Sequence, residues 1–113
     1  MASIIYSSEL RDLMLDEATN ATGGISKIKI VYSDASSSSY ETITWNAASG
    51  GSVSQSSDVV FTVAAGKTVE SFILDESTES TALAQYYFDT AYVYSENGTF
   101  TVRNTTITIP EIG

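Results

Sequence analysis

The sequence contains no cysteine and no histidine, and these two absences exclude most kinds of catalytic or metal site. Without cysteine there is no disulfide, and without either residue there is no zinc site built on thiolate or imidazole. The Cys-His and Ser-His-Asp nucleophile systems are excluded as well, together with the commonest general base near neutral pH. We therefore predict that the chain is not an enzyme, that it has no catalytic or metal-binding residues, and that it carries no cofactor.

Basic residues are also scarce. Five Lys and Arg stand against 14 Asp and Glu, which gives a formal net charge of −9. A surface of this charge repels phosphate backbones and anionic lipid, so we expect neither a nucleic-acid partner nor a membrane partner. No apolar run approaches the roughly 20 residues that a membrane span requires.

Proline occurs once, at Pro110, and the rest of the chain is rich in Ser, Thr and β-branched residues. A chain of 113 residues predicts a single domain. We divide it into an N-terminal arm at 1–6, a helix at 7–22 and a β-sandwich domain at 25–113.

The helix is predicted from a stripe of apolar side chains. Leu10, Leu13, Met14 and Ala18 recur at the spacing that lines one helical face, and Leu15 lies off this stripe. Ser7 or Ser8 is expected to cap the N-terminus. Gly23 and Gly24 are expected to end the helix, because glycine tolerates the left-handed conformation of a helix C-terminus.

After Gly24 the sequence alternates between apolar and polar residues and is interrupted by turn residues. Asn97-Gly98 is predicted as a tight turn, and Asn104 as a further turn. In the segment 69–74 the sequence does not decide which residues face the core, because Phe72 and Leu74 favour one face while Val69 and Ile73 favour the other. The fold class predicted is mainly β, an Ig-like antiparallel β-sandwich with one short N-terminal α-helix. The predicted strands are 26–32, 40–45, 52–54, 59–63, 69–74, 83–88, 92–94, 99–102 and 106–109.

Aromatic residues are concentrated between positions 86 and 94. Neighbouring residues of a strand point to opposite faces, so Tyr86, Tyr87, Tyr92 and Tyr94 cannot all be buried in one core. Exposed tyrosines are typical of sheet surfaces, protein interfaces and glycan contacts. Trp45, the only tryptophan, is expected to fill the core, with a ligand-stacking role as the alternative.

Three acids, Asp75, Glu76 and Glu79, are expected to follow a strand in one loop. Hard oxygen ligands of this kind suit Ca²⁺, but no EF-hand spacing is present. We interpret them as solvated loop acids and leave calcium as the open alternative.

Three segments together resemble the small β-sandwich structural proteins of tailed bacteriophages. The first is the helix at 8–21 followed by the strand at 27–32. The second reads Phe-Thr-Val-Ala-Ala-Gly-Lys-Thr-Val over 61–69. The third is Gly-Thr-Phe-Thr-Val at 98–102, followed by Ile-Thr-Ile-Pro at 107–110.

The resemblance implies a virion protein that works through protein–protein contacts. Capsid decoration is the first expectation, and a neck, tail or fibre protein or a host-receptor- or carbohydrate-binding module is the alternative. The implied partners are other virion proteins (the major capsid protein or a neck or tail protein) and further copies of this chain as a homo-oligomer, and the implied location is the virion, assembled in the host cytoplasm. We further hypothesise that the arm at 1–6 adds to a partner's sheet. The candidate interface residues are Ile4, Ile5, Tyr6, Tyr86, Tyr87, Tyr92 and Tyr94.

Overall fold

The computed structural model describes residues 7–20, 24–76, 78–79 and 82–109. The predicted arm, with the candidate interface residues Ile4, Ile5 and Tyr6, lies outside these ranges. The described chain confirms a mainly β protein with antiparallel sheets and one short helix. Its elements are α1 (Ser8–Ala18), β1 (Ile25–Tyr32), β2 (Glu41–Thr42), β3 (Ser52–Ser54), β4 (Val59–Val63), β5 (Thr68–Glu76), β6 (Ala82–Val93), β7 (Gly98–Val102) and β8 (Thr106–Thr108).

The helix begins where the sequence predicts and ends earlier. The Ser7 side chain accepts a hydrogen bond from the backbone N–H of Leu10, at 3.2 Å, and so caps the N-terminus. The helix ends at Ala18, and its C-cap is Thr19 rather than a glycine. The Thr19 hydroxyl donates to the carbonyl of Leu15 at 2.8 Å. A threonine side chain that bonds to the backbone in this way competes with the backbone hydrogen bonds of a continuing helix.

The prediction of which face of the helix is buried is wrong. Leu15 is 1% exposed, whereas Leu13 on the predicted stripe is 68% exposed. The reason lies in polar contacts that fix the orientation of the helix. The carboxylates of Asp12 and Asp16 accept the backbone N–H groups of Gly51 and Ala48, each at 2.8 Å. These bonds turn the polar side of α1, with Leu15 in its middle, toward the β3 region.

The strands form one four-stranded sheet and two two-stranded sheets. The larger sheet has the order β2-β1-β5-β6, and the smaller ones pair β3 with β8 and β4 with β7. Alternate residues of these strands point into a common core, as their period of two requires. The core consists of Ile25, Ile28, Ile30, Tyr32, Ile43, Val59, Phe61, Val63, Val69, Phe72, Leu74, Phe100 and Val102.

An irregularity in β5 settles the register that the sequence leaves open. Val31 and Tyr32 of β1 are paired with Ser71 and Val69, so Glu70 is an extra residue in β5. Such a bulge shifts the alternation by one residue. Val69 and Phe72 therefore both reach the core.

The prediction of a tight turn at Asn97-Gly98 is wrong. Neither residue has a positive φ, and the strands on either side, β6 and β7, lie in different sheets. The Asn97 side chain instead accepts the backbone N–H of Ala65 at 2.8 Å, which ties this connection to the turn between β4 and β5. Asn104 does turn the chain, with φ of 60°.

Trp45 is half-buried and packs against the core. Its indole Nε1 donates to the carbonyl of Ile25 at 3.0 Å, so the polar end of the ring is satisfied as well. This arrangement agrees with the core-filling interpretation.

Candidate interaction surface

The longest strand, β6, has 12 residues and lies at the edge of the larger sheet with almost its whole length exposed. In the described chain only β5 pairs with it, so its second edge is open. Phe88 is its one half-buried residue, and the others are exposed. The sequence predicts two strands here, at 83–88 and 92–94, but the structure has one. The four residues 88–91 of β6 lie opposite a single residue of β5, Glu70. Because this irregularity interrupts the alternation, the sequence pattern does not show that the strand is continuous.

The sequence of β6 has few features that protect an edge from pairing. Natural edge strands are often short, or contain Lys or Pro that discourages a further strand. The strand Ala82–Val93 has neither residue, and its one charge is that of Asp89. A row of unpaired backbone groups on a strand with a single charge is a template for strand addition.

The tyrosines of β6 lie on opposite faces of the sheet, as the alternation predicts. Tyr86 is paired with Phe72 on the core side, and Tyr87 is paired with Ser71 on the outer side. Tyr87 is 62% exposed. The structure thus brings Tyr86 together with Tyr92 and separates both from Tyr87.

Around Tyr86 and Tyr92 the aromatic rings form a continuous cluster. Phe88 lies between the two tyrosines, with ring centroids 5.6 Å from Tyr86 and 5.4 Å from Tyr92. Phe72 and Phe100 continue the cluster into the core, at distances of 5.2–5.9 Å from their neighbours. Aromatic pairs at such distances stabilise one another beyond their buried area, so the exposed tyrosines are held on a rigid base.

Tyr94 occupies a different environment from the other candidate tyrosines. It is half-buried against the core, and its hydroxyl donates to the carbonyl of Thr99 at 2.7 Å. Burial, with a smaller contribution from Tyr92, raises the pKa of Tyr94 above its usual value. Its contacts are those of a side chain that holds β7 in place, and an interface role for it stays a prediction.

The three acids do not form the expected loop cluster. Asp75 and Glu76 lie within β5, and Asp75 is buried. The Asp75 carboxylate accepts the Tyr40 hydroxyl, and Glu76 accepts the hydroxyl and backbone N–H of Thr78. Among the described residues there is no group of three acids placed to hold a metal ion.

Sequence reasoning missed the second side of the aromatic cluster. Phe100 packs directly against Tyr92 and Phe88, with ring centroids 5.2 and 5.4 Å away, and the loop after β7, at 103–105, lines the groove beside them. The alternation in 98–102 does place Phe100 inward. No local signal shows that it meets β6, because the two strands belong to different sheets and share no hydrogen bond.

A second exposed apolar area lies where α1 approaches the start of β6. Leu13, Met14 and Leu83 line a shallow groove there, over Ile25. It contains Leu13, Met14 and Ala18 of the helix stripe that the sequence predicts as buried.

Comparison with known proteins adds no relative. No protein-family model matches the sequence, and no match is found among the curated proteins or the solved structures. In the part of the chain that the structure describes, no helix is both long and apolar enough to traverse a bilayer.

Proposed function

We propose that this chain is a structural component of a tailed-phage virion, a capsid decoration protein that acts through protein–protein contacts with neighbouring virion proteins and with its own copies. The resemblance of three sequence segments to small phage structural proteins supports the phage assignment. We also propose that its antiparallel sheets correspond to an Ig-like β-sandwich, the fold that this resemblance implies. The observation that carries the functional proposal is the open edge of β6.

Strand addition at β6 is the contact that we propose. A partner strand laid along this edge would satisfy the outward-facing backbone N–H and C=O groups of β6 on either side of the irregularity at 88–91. Side chains of the partner would then lie beside Tyr87 on the outer face. Tyrosine is enriched at protein interfaces because it combines a large contact area with a polar end. An assembly of this kind requires no titrating group, which fits a chain without histidine and cysteine.

The arm at 1–6 is the segment of this chain that we propose as a strand donor. Ile4, Ile5 and Tyr6 are apolar and β-prone, and the arm carries no charged side chain to oppose pairing. Deleting residues 2–6 and measuring incorporation into particles tests this part separately. Unchanged incorporation would exclude the arm and leave the β6 edge as the contact.

Mass spectrometry of purified virions tests the main proposal. We expect the chain in hundreds of copies per particle if it decorates the capsid. A few to a dozen copies would place it in the neck, tail or fibre and would overturn the decoration assignment. Absence from purified particles would overturn the virion assignment as a whole.

The role of β6 in the particle is tested by introducing a charge. Tyr87→Lys adds the cation that edge strands use against pairing, and we expect at least a roughly tenfold loss of incorporation, equivalent to about 1.4 kcal/mol. Val60→Lys is the matched control. Val60 is an exposed apolar residue of β4, which belongs to a different sheet from β6. An equal loss in both variants would show that added charge, rather than the β6 edge, matters.

A further inference from the structure

A groove lies between the tyrosines of β6 and residues 101–106, beside the ring contacts of Phe100 with Phe88 and Tyr92, and a ligand there would be independent of the virion assignment. Its volume is about 430 Å³. Tyr86, Phe88 and Tyr92 form one side, and residues 101–106 form the other. We propose that this groove binds a saccharide of one or two sugar rings.

The aromatic side has the properties of a stacking surface for the apolar face of a sugar ring. Tyr86 is 52% exposed and Tyr92 is 50% exposed, so each ring offers free area to a ligand. Both rings stand nearly perpendicular to Phe88, with interplanar angles of 74° and 83°. Phe88 therefore holds the two tyrosines apart and fixes their orientation, so that little conformational entropy is lost when a ligand binds.

The hydroxyls of Tyr86 and Tyr92 are available to a ligand. Within the described ranges, neither hydroxyl makes a hydrogen bond to another residue. Tyr94, by contrast, donates to the carbonyl of Thr99. A phenolic hydroxyl both donates and accepts, and it can therefore pair with either role of a sugar hydroxyl.

The opposite side of the groove supplies polar groups. In the described chain the side chain of Asn104 makes no hydrogen bond, so its amide can donate and accept. Arg103 lies 3.9 Å from Asp58, and both side chains are exposed, so this ion pair is weak and leaves donors of the guanidinium free. Thr105 and Thr106 line the same side, and the Thr106 hydroxyl makes a long bond of 3.5 Å to the carbonyl of Asn104.

The combination selects a class of ligand. Small-molecule sites join an apolar lining to a few placed polar groups, and the volume lies toward the lower end of their range of about 300–1,000 Å³. Phosphate-rich ligands are disfavoured, because Arg103 is the one cation in the groove of a chain with net charge −9. A wholly apolar ligand would leave the polar groups of residues 103–106 unpaired. Sugar rings present an apolar face and a rim of hydroxyls, which match the two sides of this groove.

The experiment uses the whole purified chain and a panel of free saccharides. The panel contains glucose, galactose, N-acetylglucosamine and its dimer, and a sialylated lactose, and binding is measured by ligand-observed NMR and calorimetry. We expect saturable binding of at least one sugar at millimolar concentration or below. Binding of the neutral sugars would make stacking the main contact, and binding of the sialylated sugar alone would assign recognition of its carboxylate to Arg103.

Single substitutions test whether the sugar binds in the groove. Tyr92→Ala is expected to lower the affinity at least tenfold, while Tyr87→Ala is the control on the opposite face of the same strand and is expected to leave it unchanged. Asn104→Gly removes the amide and keeps a residue suited to the positive φ, so a threefold or greater loss is expected without a change in folding.

Three outcomes would overturn the proposal. They are the absence of binding to every sugar in the panel, an equal loss in Tyr87→Ala and Tyr92→Ala, and binding of a proline-rich peptide in the groove where no sugar binds. Because these measurements use the isolated chain, their result does not depend on whether the chain enters a virion.

Discussion

The hydroxyl of Tyr40 donates a hydrogen bond of 2.6 Å to the carboxylate of Asp75. Asp75 is 1% exposed and lies in β5, whereas Tyr40 precedes the short edge strand β2. The backbone N–H of Glu76 donates to the same carboxylate at 2.7 Å. The Lys29 ammonium lies 4.8 Å from the centre of the Tyr40 ring and helps to hold that ring over the sheet. The acid that the sequence suggests for a loop thus links β5 to the segment that leads into β2.

Removing the Tyr40 hydroxyl should destabilise the protein. Tyr40→Phe deprives a buried carboxylate of a donor, and the expected cost is about 1–3 kcal/mol in the free energy of unfolding. Urea denaturation measures it. Tyr87→Phe is the control, because the Tyr87 hydroxyl makes no hydrogen bond to another described residue, and it should change stability by less than about 0.5 kcal/mol. Equal effects would contradict the role of the Tyr40–Asp75 bond.

The same bond predicts a loss of stability at alkaline pH. Its hydrogen bond to Asp75, followed by partial burial, raises the pKa of Tyr40 to about 12. A group whose pKa is higher in the folded than in the unfolded chain stabilises the fold below the unfolded value, here about 10. That stabilisation should disappear between about pH 10 and 12. Absorbance titration at alkaline pH should show that Tyr40→Phe removes one late-ionising tyrosine and leaves the late ionisation of Tyr94, and an unchanged number of late-ionising tyrosines in that variant would contradict the assignment.

Leu15, rather than the apolar stripe of α1, should anchor the helix. Leu15→Ala removes a fully buried side chain and is expected to cost about 2–4 kcal/mol. Leu13→Ala, at an exposed position of the same helix, should cost less than about 0.5 kcal/mol. Thermal denaturation of both variants checks the difference. A larger loss of stability for Leu13→Ala would contradict this assignment and support the helix orientation that the sequence pattern predicts.

Gly51 should be the least replaceable of the glycines with positive φ. A Cβ at Gly51 (φ 82°) would lie 2.5 Å from Nη1 of Arg11, whose guanidinium donates to the carbonyl of Ile109 at 3.1 Å. Gly66 has a similar φ of 86° and open space around it. Both Gly→Ala substitutions should cost about 1–2 kcal/mol in backbone strain, and Gly51→Ala about 1 kcal/mol more through the displaced arginine. Equal losses of unfolding free energy in Gly51→Ala and Gly66→Ala would show that the Arg11 side chain moves aside without cost.

Much of the strand pattern follows from local sequence. The alternation in 59–63 predicts a strand with the observed bounds, and that in 99–102 predicts β7 except for its first residue, Gly98, because one face of each strand is buried and the register of a half-buried strand is strongly specified. The opposite placement of Tyr86 and Tyr87 follows from the same period of two. These features depend on neighbouring residues, and the sequence is sufficient for them.

The features that the sequence does not reveal depend on distant contacts. The face that α1 buries is chosen by the bonds of Asp12 and Asp16 to backbone groups more than 30 residues away. The groove beside Tyr92 exists because β7 pairs with β4 instead of continuing the larger sheet. An Asn-Gly pair predicts a hairpin only if its flanking strands pair, and at Asn97-Gly98 they do not.

Amide hydrogen exchange of β6 tests the central claim, that this edge is the assembly contact. Exchange is compared between the free chain and the chain in purified virions, with β4 as the internal reference. In the free chain the open edge of β6 should exchange quickly, and in the particle the amides of Ala82–Val93 should gain protection while those of Val59–Val63 stay unchanged. Incorporation of the chain with no gain of protection in β6 would contradict the account.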